Sequence, residues 1–377
     1  MELTDQILSY VEAHRQEAYD LLLDLARIPA PSHHEERRAA YIKGWLEAQG
    51  AEGVYIDDAL NVIYPIGCTV DNDLVVFAAH SDVVFPDTQP LPLRVEEGRV
   101  CCPGVGDDTA NVVALLMTAK YIASHRLCPS GIGVLLVVDS CEEGLGNLKG
   151  TRALMEAFGS RIRAFVSFDG RNAGGVSRAV GSRRFRIEVD TEGGHSFSAF
   201  GNPNAIAGLA SLIDALYAVK VPDLGKTTYN VGTISGGTSV NSIAQHAEML
   251  YEFRSDEREA LDIMQKHLDD AVAFCRSKGV RVTVTLMGER PCGAWVDPDK
   301  MQALMDRASA ASLRHYGWEM VFGSGSTDCN VPLSIGIPAI CVGCYVGGGA
   351  HTREEWVEIK SLLPGLKFAF DMILGHF

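Results

Sequence analysis

Several polar side chains stand where they could bind metal ions or transfer protons, because each follows an apolar run or a glycine-rich turn. The apolar run "LVVFAA" is followed at once by His80 and Asp82. The other clusters have the same setting, and they are Asp107 and Asp108 in "GVGDDTAN", Glu142 and Glu143 in "CEEG", Asp169 in "SFDG" and His351 in "GGGAH". Taken alone, each has an ordinary explanation, since a carboxylate at a strand end often caps the next helix.

The combination of these clusters predicts a metal site. Open α/β sheets form their ligand sites beyond the carboxyl ends of the strands, so these loops would gather many carboxylates and two imidazoles at one edge. Without cations the carboxylates would repel one another strongly. Oxygen ligands with an imidazole suit zinc, cobalt or manganese better than calcium or a thiolate zinc site. We therefore expect two divalent ions.

The spacing within two of the clusters suggests a division of roles. Residues two apart in a strand face the same way, so the Asp82 carboxylate can reach the ring nitrogen of His80 that a metal does not use. Adjacent carboxylates in a turn point in different directions. One member of the Glu142 and Glu143 pair can therefore bind metal while the other accepts a proton from a water molecule.

The elements that would position these residues form an α/β pattern. Apolar runs at 74–79, 132–139 and 164–168 predict strands, and "NVVALLMTAKYIASH" predicts a helix between the first two. Two helices are expected over 5–49, separated at "IPAPS", where prolines end the first. Strands that alternate with helices indicate a largely parallel sheet that is covered on both faces.

The middle of the chain has a different pattern of predicted secondary structure. From Gly181 onwards, alternating segments and helical segments follow in the order βαββαβ, which is the ferredoxin-like arrangement. After Pro291 the α/β pattern resumes, with a helix at 298–316, the strand "PAICVG" and a last helix from Ser361. We therefore expect a discontinuous catalytic domain at 1–180 and 290–377, with a second domain inserted at 181–289.

Composition excludes several classes of function. The 377 residues are 47% hydrophobic, which is enough for two folded domains. A net charge of −15 without a basic run argues against nucleic acid or an anionic membrane as partner, and favours a small molecule. No segment predicts a signal peptide or a membrane span, and the ten cysteines are scattered. We expect a cytoplasmic protein with reduced thiols.

Together these motifs resemble the M20 family of two-zinc exopeptidases and amide hydrolases. The segments "HSD", "GVGDDTAN", "EEGLG", "FDG" and "GGGAH" occur in the family's order, and "IPAPSHHEE" and "DDALNV" resemble its opening helix junction and first strand. The middle segment "GGHSFSAFGNPNAI" is similar to the family's lid and dimerisation domain. The resemblance implies a zinc-exopeptidase-like catalytic domain with an inserted lid, assembled as a homodimer through that lid.

The resemblance also implies metal ligands, with zinc as the expected metal. His80 and Asp169 would hold one ion, Glu143 and His351 the other, and Asp107 would bridge both. Asp107 is preferred to Asp108 because the bridging residue of the family is the first of its acidic pair.

Other residues acquire roles from the same resemblance. Glu142 would be the general base, and Asp82 the partner of His80. His195 would reach the active site of the other subunit and stabilise the oxyanion. The implied substrate-binding residues are Asn241, Arg254, Gly325, Ser326 and Thr327.

The implied reaction is hydrolysis of the amide bond of short peptides by an exopeptidase, through a water that bridges the two ions. An amidohydrolase or deacylase for N-acyl amino acids is the alternative within the same chemistry. Two further hypotheses belong to other classes: a non-catalytic binding protein that retains the fold, and thiol chemistry at Cys341 and Cys344.

Two departures from the family pattern bear on the substrate. Thr109 and Ala110 stand where many relatives have a lysine and a glycine, so one local charge is missing. Ser324 stands where the tripeptidase branch has an arginine, which argues against strict tripeptidase specificity. The arginines that could grip a substrate carboxylate are Arg183, Arg184, Arg254 and Arg353.

Overall fold

The computed structural model describes residues 2–377, which divide into two compact units. The large unit comprises the chain up to Ala179 together with Ala294–Phe377, and the inserted unit is Val180–Gly293. The chain therefore leaves the large unit once and returns to it after the inserted unit.

The secondary structure elements are numbered along the chain. Up to Ala179 they are α1 (Asp5–Ala13), α2 (Arg15–Ala26), α3 (Glu36–Ala48), β1 (Tyr55–Ile56), β2 (Val62–Ile66), β3 (Leu74–His80), β4 (Arg94–Glu96), β5 (Arg99–Cys101), α4 (Asn111–Ser124), β6 (Gly133–Asp139), α5 (Lys149–Phe158), β7 (Ile162–Phe168) and β8 (Gly175–Ala179). A short helical turn, Val105–Ala110, leads into α4.

The inserted unit and the return segment complete the chain. The inserted unit contains β9 (Gly181–Asp190), β10 (Gly194–His195), α6 (Ala205–Tyr217), β11 (Thr227–Gly236), β12 (Ser242–Ile243), β13 (His246–Ser255), α7 (Arg258–Ser277) and β14 (Arg281–Arg290). The return segment contains α8 (Pro298–Tyr316), β15 (Phe322–Gly325), α9 (Asn330–Ser334), β16 (Ala339–Val342), β17 (Gly347–Gly348), β18 (Trp356–Glu358) and α10 (Leu362–Leu374).

The large unit is built around one mixed sheet of eight strands, in the order β1-β2-β6-β3-β7-β16-β8-β15. The neighbours β6, β3, β7 and β16 run parallel to one another, so their carboxyl ends lie at one edge. Every residue of β3 and of β6 is buried, as expected for strands covered on both faces. The prediction of an α/β fold with a mostly parallel sheet is confirmed.

The N-terminal helices differ from the prediction, because three helices form where two were expected. The chain leaves helical geometry at His14, which separates α1 from α2. The His14 ring lies 2.8 Å from the Tyr10 carbonyl oxygen through Nδ1 and stacks on the Tyr10 ring. The side chain thus contacts the last turn of α1 at the break, a local feature that the helical spacing of apolar residues does not reveal.

A second, smaller sheet of the large unit was not predicted. It has the order β17-β18-β5-β4, with antiparallel pairing throughout. Trp356 of β18 pairs with Cys101 of β5, although the two strands are far apart in the sequence. This sheet places the loop that follows β5 next to the loop that precedes β18.

The inserted unit is a four-stranded antiparallel sheet with two helices. The strand order is β11-β13-β9-β14, and the elements follow the chain as β9, α6, β11, β13, α7 and β14 apart from two short strands. Alternate residues of β9 and β13 are buried with residues of α6 and α7 in a separate core. Phe185, Ile187 and Val189 are the residues that β9 contributes to this core.

No helix within residues 2–377 combines the length and the apolar character needed to cross a membrane.

Candidate metal centre

The carboxyl ends of the central strands bring the expected ligands of the large unit together. His80 is the last residue of β3 and lies beside Asp139, the last residue of β6. The turn after β6 carries Glu142 and Glu143, and Asp169 follows β7 directly. These segments converge because β6, β3 and β7 are adjacent and parallel.

Asp107 lies between two imidazoles. Its Oδ1 is 3.0 Å from Nε2 of His80, and its Oδ2 is 3.3 Å from Nε2 of His351. Asp169 lies on the His80 side, with Oδ1 3.9 Å from Nε2 of that histidine. Glu143 lies on the other side, with Oε1 3.1 Å from Nε2 of His351.

These side chains form groups whose potential ligand atoms lie within 4.8 Å of one another. One group contains His80, Asp107, Asp108 and Asp169, and another contains Asp107, Glu143 and His351. Asp107 belongs to both groups. The geometry therefore has two adjacent places for a cation, with one carboxylate between them.

Asp108 is buried, and its carboxylate accepts hydrogen bonds from the His80 backbone and the Asn111 side chain. Its Oδ2 accepts a hydrogen bond of 2.9 Å from the backbone N–H of His80, and its Oδ1 accepts one of 2.6 Å from the side-chain amide of Asn111. The peptide bond between Asp107 and Asp108 is cis. Of the two aspartates, Asp107 is the one whose carboxylate faces both imidazoles.

Asp82 is completely buried and connects β3 with the turn after β6. Its Oδ1 and Oδ2 accept hydrogen bonds of 3.0 Å from the backbone N–H groups of Glu142 and Glu143. The Nδ1 atom of His80 lies 3.0 Å from the Asp82 carbonyl oxygen and 3.4 Å from the carboxylate atom Oδ1. Ser32 also donates to this carboxylate, at 2.6 Å. Asp82 therefore orients His80 and the two glutamates.

Glu142 is buried next to the cluster. Its carboxylate forms a group with His80 and Glu143 whose ligand atoms lie within 4.8 Å of one another. Only 5% of Glu142 is exposed, although His351 on the other side of Asp107 is exposed. The cluster is therefore open to solvent at His351, while Glu142 is shielded from bulk water.

The electrostatics of the cluster favour added positive charge. Burial and the nearby Asp107 raise the pKa of Asp169 to about 7. Hydrogen bonds to Asp107 and Glu143 raise the pKa of His351 to about 10. The two shifts have different causes: burial and a like charge disfavour the ionised Asp169 carboxylate, whereas the neighbouring carboxylates stabilise the charged His351 imidazolium. A donor set of carboxylate oxygens and imidazole nitrogens in this arrangement fits two divalent ions.

Three residues that support the cluster were missed by the sequence analysis: Ser32, Arg38 and Glu355. Arg38 is buried and donates to the backbone carbonyl of Ser81 at 2.8 Å, next to His80. Glu355 is buried and accepts three backbone N–H groups of the loop that contains Asp107. None of these contacts has a sequence signal, because Ser, Arg and Glu in polar segments are usually solvated.

The expected substrate loop of the large unit lies near Asp169. Gly325 ends β15, and Ser326 and Thr327 follow it. Thr327 and Asp169 line the same cavity of about 390 Å³, together with Phe322. This position allows the loop to contact a molecule bound at the cluster.

In the inserted unit, His195 and Asn241 are exposed neighbours. His195 on β10 pairs with Ser242 on β12, and the backbone carbonyl of Asn241 accepts the N–H of Ser196 at 2.9 Å. The adjacent residues Gly194 and Ser242 line a cavity of about 640 Å³. Two of the three residues of this unit that were expected at the substrate, His195 and Asn241, therefore lie side by side.

The four arginines considered for a substrate carboxylate all have carboxylate partners within their own unit. Arg183 pairs with Glu289 at 2.9 Å and Arg184 with Glu252 at 3.4 Å. Arg254 makes two hydrogen bonds to Glu252, at 2.9 and 3.0 Å. Arg353 makes two to Asp87, at 3.0 and 2.7 Å. Each would have to leave or share its partner to bind a substrate.

The hypothesis of thiol chemistry at Cys341 and Cys344 is not supported by their surroundings. Cys341 and Cys344 are both buried, and burial raises the pKa of each thiol well above its usual value. A thiolate nucleophile or ligand requires the opposite shift.

The fold and the cluster together define a candidate metal-dependent hydrolase. The sequence matches Peptidase family M20/M25/M40 over residues 76–375, and the chain belongs to this family. It is 25% identical over 358 residues to a candidate succinyl-diaminopimelate desuccinylase, DapE, of Mycobacterium tuberculosis, which covers 92% of this chain and 95% of that protein.

Solved structures share the fold over almost the whole chain. A tripeptidase from Staphylococcus aureus has a TM-score of 0.77 with 21% identity, covering 95% of this chain and 97% of its own. A dinuclear metal-binding peptidase of the M20 family from Bacillus subtilis has a TM-score of 0.66 with 18% identity, covering 97% and 99%.

Proposed function

We propose that this protein is a metal-dependent exopeptidase that hydrolyses an amide bond of short peptides. One observation carries the proposal: five side chains from separate segments of the chain converge into two overlapping ligand groups, with Glu142 beside them. They are His80, Asp107, Glu143, Asp169 and His351. Membership of a peptidase family supports the reaction class.

The ligand groups suggest how two ions would be held. His80 and Asp169 would bind one ion, Glu143 and His351 the other, and Asp107 both. Zinc suits this mixture of imidazole and carboxylate ligands, and cobalt or manganese could replace it. When bound, the two ions would polarise the scissile carbonyl and make a water molecule more acidic.

The chain's own residues would perform the proton transfers. Glu142 accepts the proton of the attacking water and delivers it to the leaving amine, a role that its shielded position supports. The Asp82 carboxylate keeps Glu142 in place by accepting a hydrogen bond from its backbone N–H. The Asp82 carbonyl oxygen keeps His80 in one orientation through the contact with Nδ1 of that ring.

The inserted unit would serve as lid and dimerisation domain. Its βαββαβ order and its strand order support a ferredoxin-like arrangement. We propose a homodimer through this unit, in which His195 of one subunit stabilises the oxyanion in the site of the other. Asn241, Arg254, Gly325, Ser326 and Thr327 would bind the substrate.

Mixing two inactive variants tests whether His195 acts on the partner's site. In a heterodimer of His195→Ala and Glu142→Gln, one site receives both an intact Glu142 and an intact His195. With free subunit exchange, half of the dimers are mixed and each has one complete site, so we expect roughly a quarter of wild-type activity. The measurement is the rate of peptide hydrolysis after the variants are co-refolded.

The control for this experiment is each variant refolded alone at the same total concentration. If the mixture, shown by mass labelling to contain heterodimers, is no more active than the two variants alone, His195 does not act in trans.

A deacylase acting on N-acyl amino acids is the second candidate. The relative named as a desuccinylase favours it, because its name describes removal of an acyl group rather than cleavage of a peptide. Ser324 of β15 also favours the deacylase, because the tripeptidase branch has an arginine at this position.

A substrate panel distinguishes the two candidates. Purified enzyme loaded with zinc, cobalt or manganese is assayed against dipeptides, tripeptides and N-acetyl and N-succinyl amino acids. We expect the highest kcat/KM for a short peptide with a free amino group, and loss of activity on chelation. A higher kcat/KM for N-acyl amino acids would replace the exopeptidase by the deacylase, and turnover of neither class would favour a binding protein.

A further inference from the structure

Glu355 is a buried carboxylate whose two oxygens both face backbone N–H groups. Oε2 accepts a hydrogen bond of 2.6 Å from Gly104, and Oε1 accepts bonds of 2.9 Å from Gly106 and 2.7 Å from Asp107. Only 1% of Glu355 is exposed. The three donors belong to one loop, between β5 and α4, and the last of them is the residue that lies between the two imidazoles.

The backbone of Glu355 is attached to the same loop. Its carbonyl oxygen accepts the N–H of Cys102 at 3.1 Å. The next residue, Trp356, begins β18 and pairs with Cys101 of β5. Glu355 is therefore fixed beside the Asp107 loop by main-chain bonds before its carboxylate makes any contact.

The segment that carries Glu355 also carries His351. His351 lies within a tight turn at 349–352, in which Thr352 donates to the Gly349 carbonyl from both its backbone N–H, at 3.0 Å, and its hydroxyl, at 2.7 Å. Gly349 has a φ of +75°, and a Cβ there would meet the Glu354 carbonyl oxygen at 2.9 Å. The turn that carries His351 therefore lies directly against the backbone of Glu354 and Glu355.

Burying a carboxylate among apolar groups is unfavourable unless hydrogen bonds replace the lost water. The three N–H groups provide this replacement, and they would lose their own partner if the carboxylate were removed. A glutamine of the same shape cannot substitute fully, because its NH₂ group would face an N–H donor. The carboxylate of Glu355 therefore satisfies three backbone N–H groups of this loop.

We propose that Glu355 is a positioning residue for the candidate metal centre. It holds Asp107 through the loop N–H groups and His351 through its own segment, so that both side chains can serve the same pair of ions. The inference rests on the proposed metal centre, and it assigns to Glu355 a role in metal affinity rather than contact with substrate.

The test compares Glu355→Gln with Glu354→Gln, which changes the neighbouring glutamate in the same way. The Glu354 side chain is 79% exposed and contacts Arg94 at 3.3 Å. Each full-length protein is stripped of metal and titrated with Co²⁺, whose visible absorption reports ligand geometry. For Glu355→Gln we expect affinity for cobalt to fall about 10- to 100-fold with a changed spectrum, as for other residues that orient ligands. Glu354→Gln should titrate like the wild type.

Two further readouts separate positioning from a purely structural role. Raising the metal concentration should restore most of kcat in Glu355→Gln with KM unchanged, whereas a misfolded variant would not recover. The Tm of metal-free Glu355→Gln should lie only a few degrees below that of metal-free Glu354→Gln, because one buried N–H group loses its acceptor while the rest of the fold is unchanged. If Glu355→Gln cannot be isolated folded, Glu355→Asp, which keeps the charge but shortens the reach, should show a smaller loss of cobalt affinity.

The outcomes distinguish this inference from the proposed function. Wild-type affinity and an unchanged spectrum in Glu355→Gln, or in Glu355→Asp if only that variant folds, would overturn the role of Glu355 and leave the metal centre intact. A wild-type protein that binds no cobalt would overturn the metal centre and with it both proposals.

Discussion

Glu142→Gln is expected to lose nearly all turnover while it keeps both metal ions. The carboxylate of Glu142 is buried beside His80 and Glu143, and its backbone N–H is held by Asp82 at 3.0 Å, so glutamine should occupy the same space. Glutamine cannot accept a proton at neutral pH. Since general bases contribute about 10²- to 10⁴-fold to rates, we expect kcat to fall by that range with KM little changed.

Metal content is measured together with kinetics, so that loss of the general base is distinguished from loss of metal. Glu143→Gln is the matched variant, because it changes the adjacent residue, whose Oε1 lies 3.1 Å from His351. We expect Glu143→Gln to bind less metal and to recover in part when metal is added, while Glu142→Gln stays inactive at full occupancy. Normal turnover of fully loaded Glu142→Gln would exclude Glu142 as the base.

Asp107→Ala is expected to lose both ions together. Asp107 is the carboxylate common to the two ligand groups, with its oxygens 3.0 and 3.3 Å from the nearer nitrogens of His80 and His351. Mutating a residue that only orients a ligand already lowers metal affinity about 10- to 100-fold, so removing a shared ligand should lower it further. Metal analysis after dialysis and titration with zinc would measure the loss.

Asp108→Asn provides the comparison that assigns the bridging position. The Asp108 carboxylate accepts bonds from the His80 backbone and the Asn111 side chain, and an asparagine can keep the first of them. We expect this variant to retain two ions with a smaller loss of activity. If Asp108→Asn loses the ions and Asp107→Ala keeps them, the two aspartates have exchanged roles.

The central sheet was predictable because its strands are covered on both faces. Such strands are continuous apolar runs, and the runs at 74–79, 132–139 and 164–168 correspond to β3, β6 and β7. The inserted unit was visible for a different reason, since residues of β9 alternate between a buried and a polar face. Both signals are local, so a sequence displays them directly.

The smaller sheet and its consequences were not predictable in this way. The strands β5 and β18 have three residues each, and they are paired across most of the large unit's sequence. Strands this short leave no periodic pattern. The contacts that depend on them, including those of Glu355, therefore had no signal in the sequence.

The sequence alone determined which chemistry was available: carboxylates and imidazoles at the ends of apolar strands, in an order typical of one family. Residue types and spacing alone left open which of Asp107 and Asp108 lies between the imidazoles and which of Glu354 and Glu355 is buried, and the tertiary structure decided both. Asp107 faces two imidazoles while Asp108 faces the backbone of His80, and Glu355 is buried while Glu354 is exposed. A pattern of residue types cannot distinguish two adjacent acidic residues in a loop. The direction of each side chain depends on hydrogen bonds to segments that are distant along the chain.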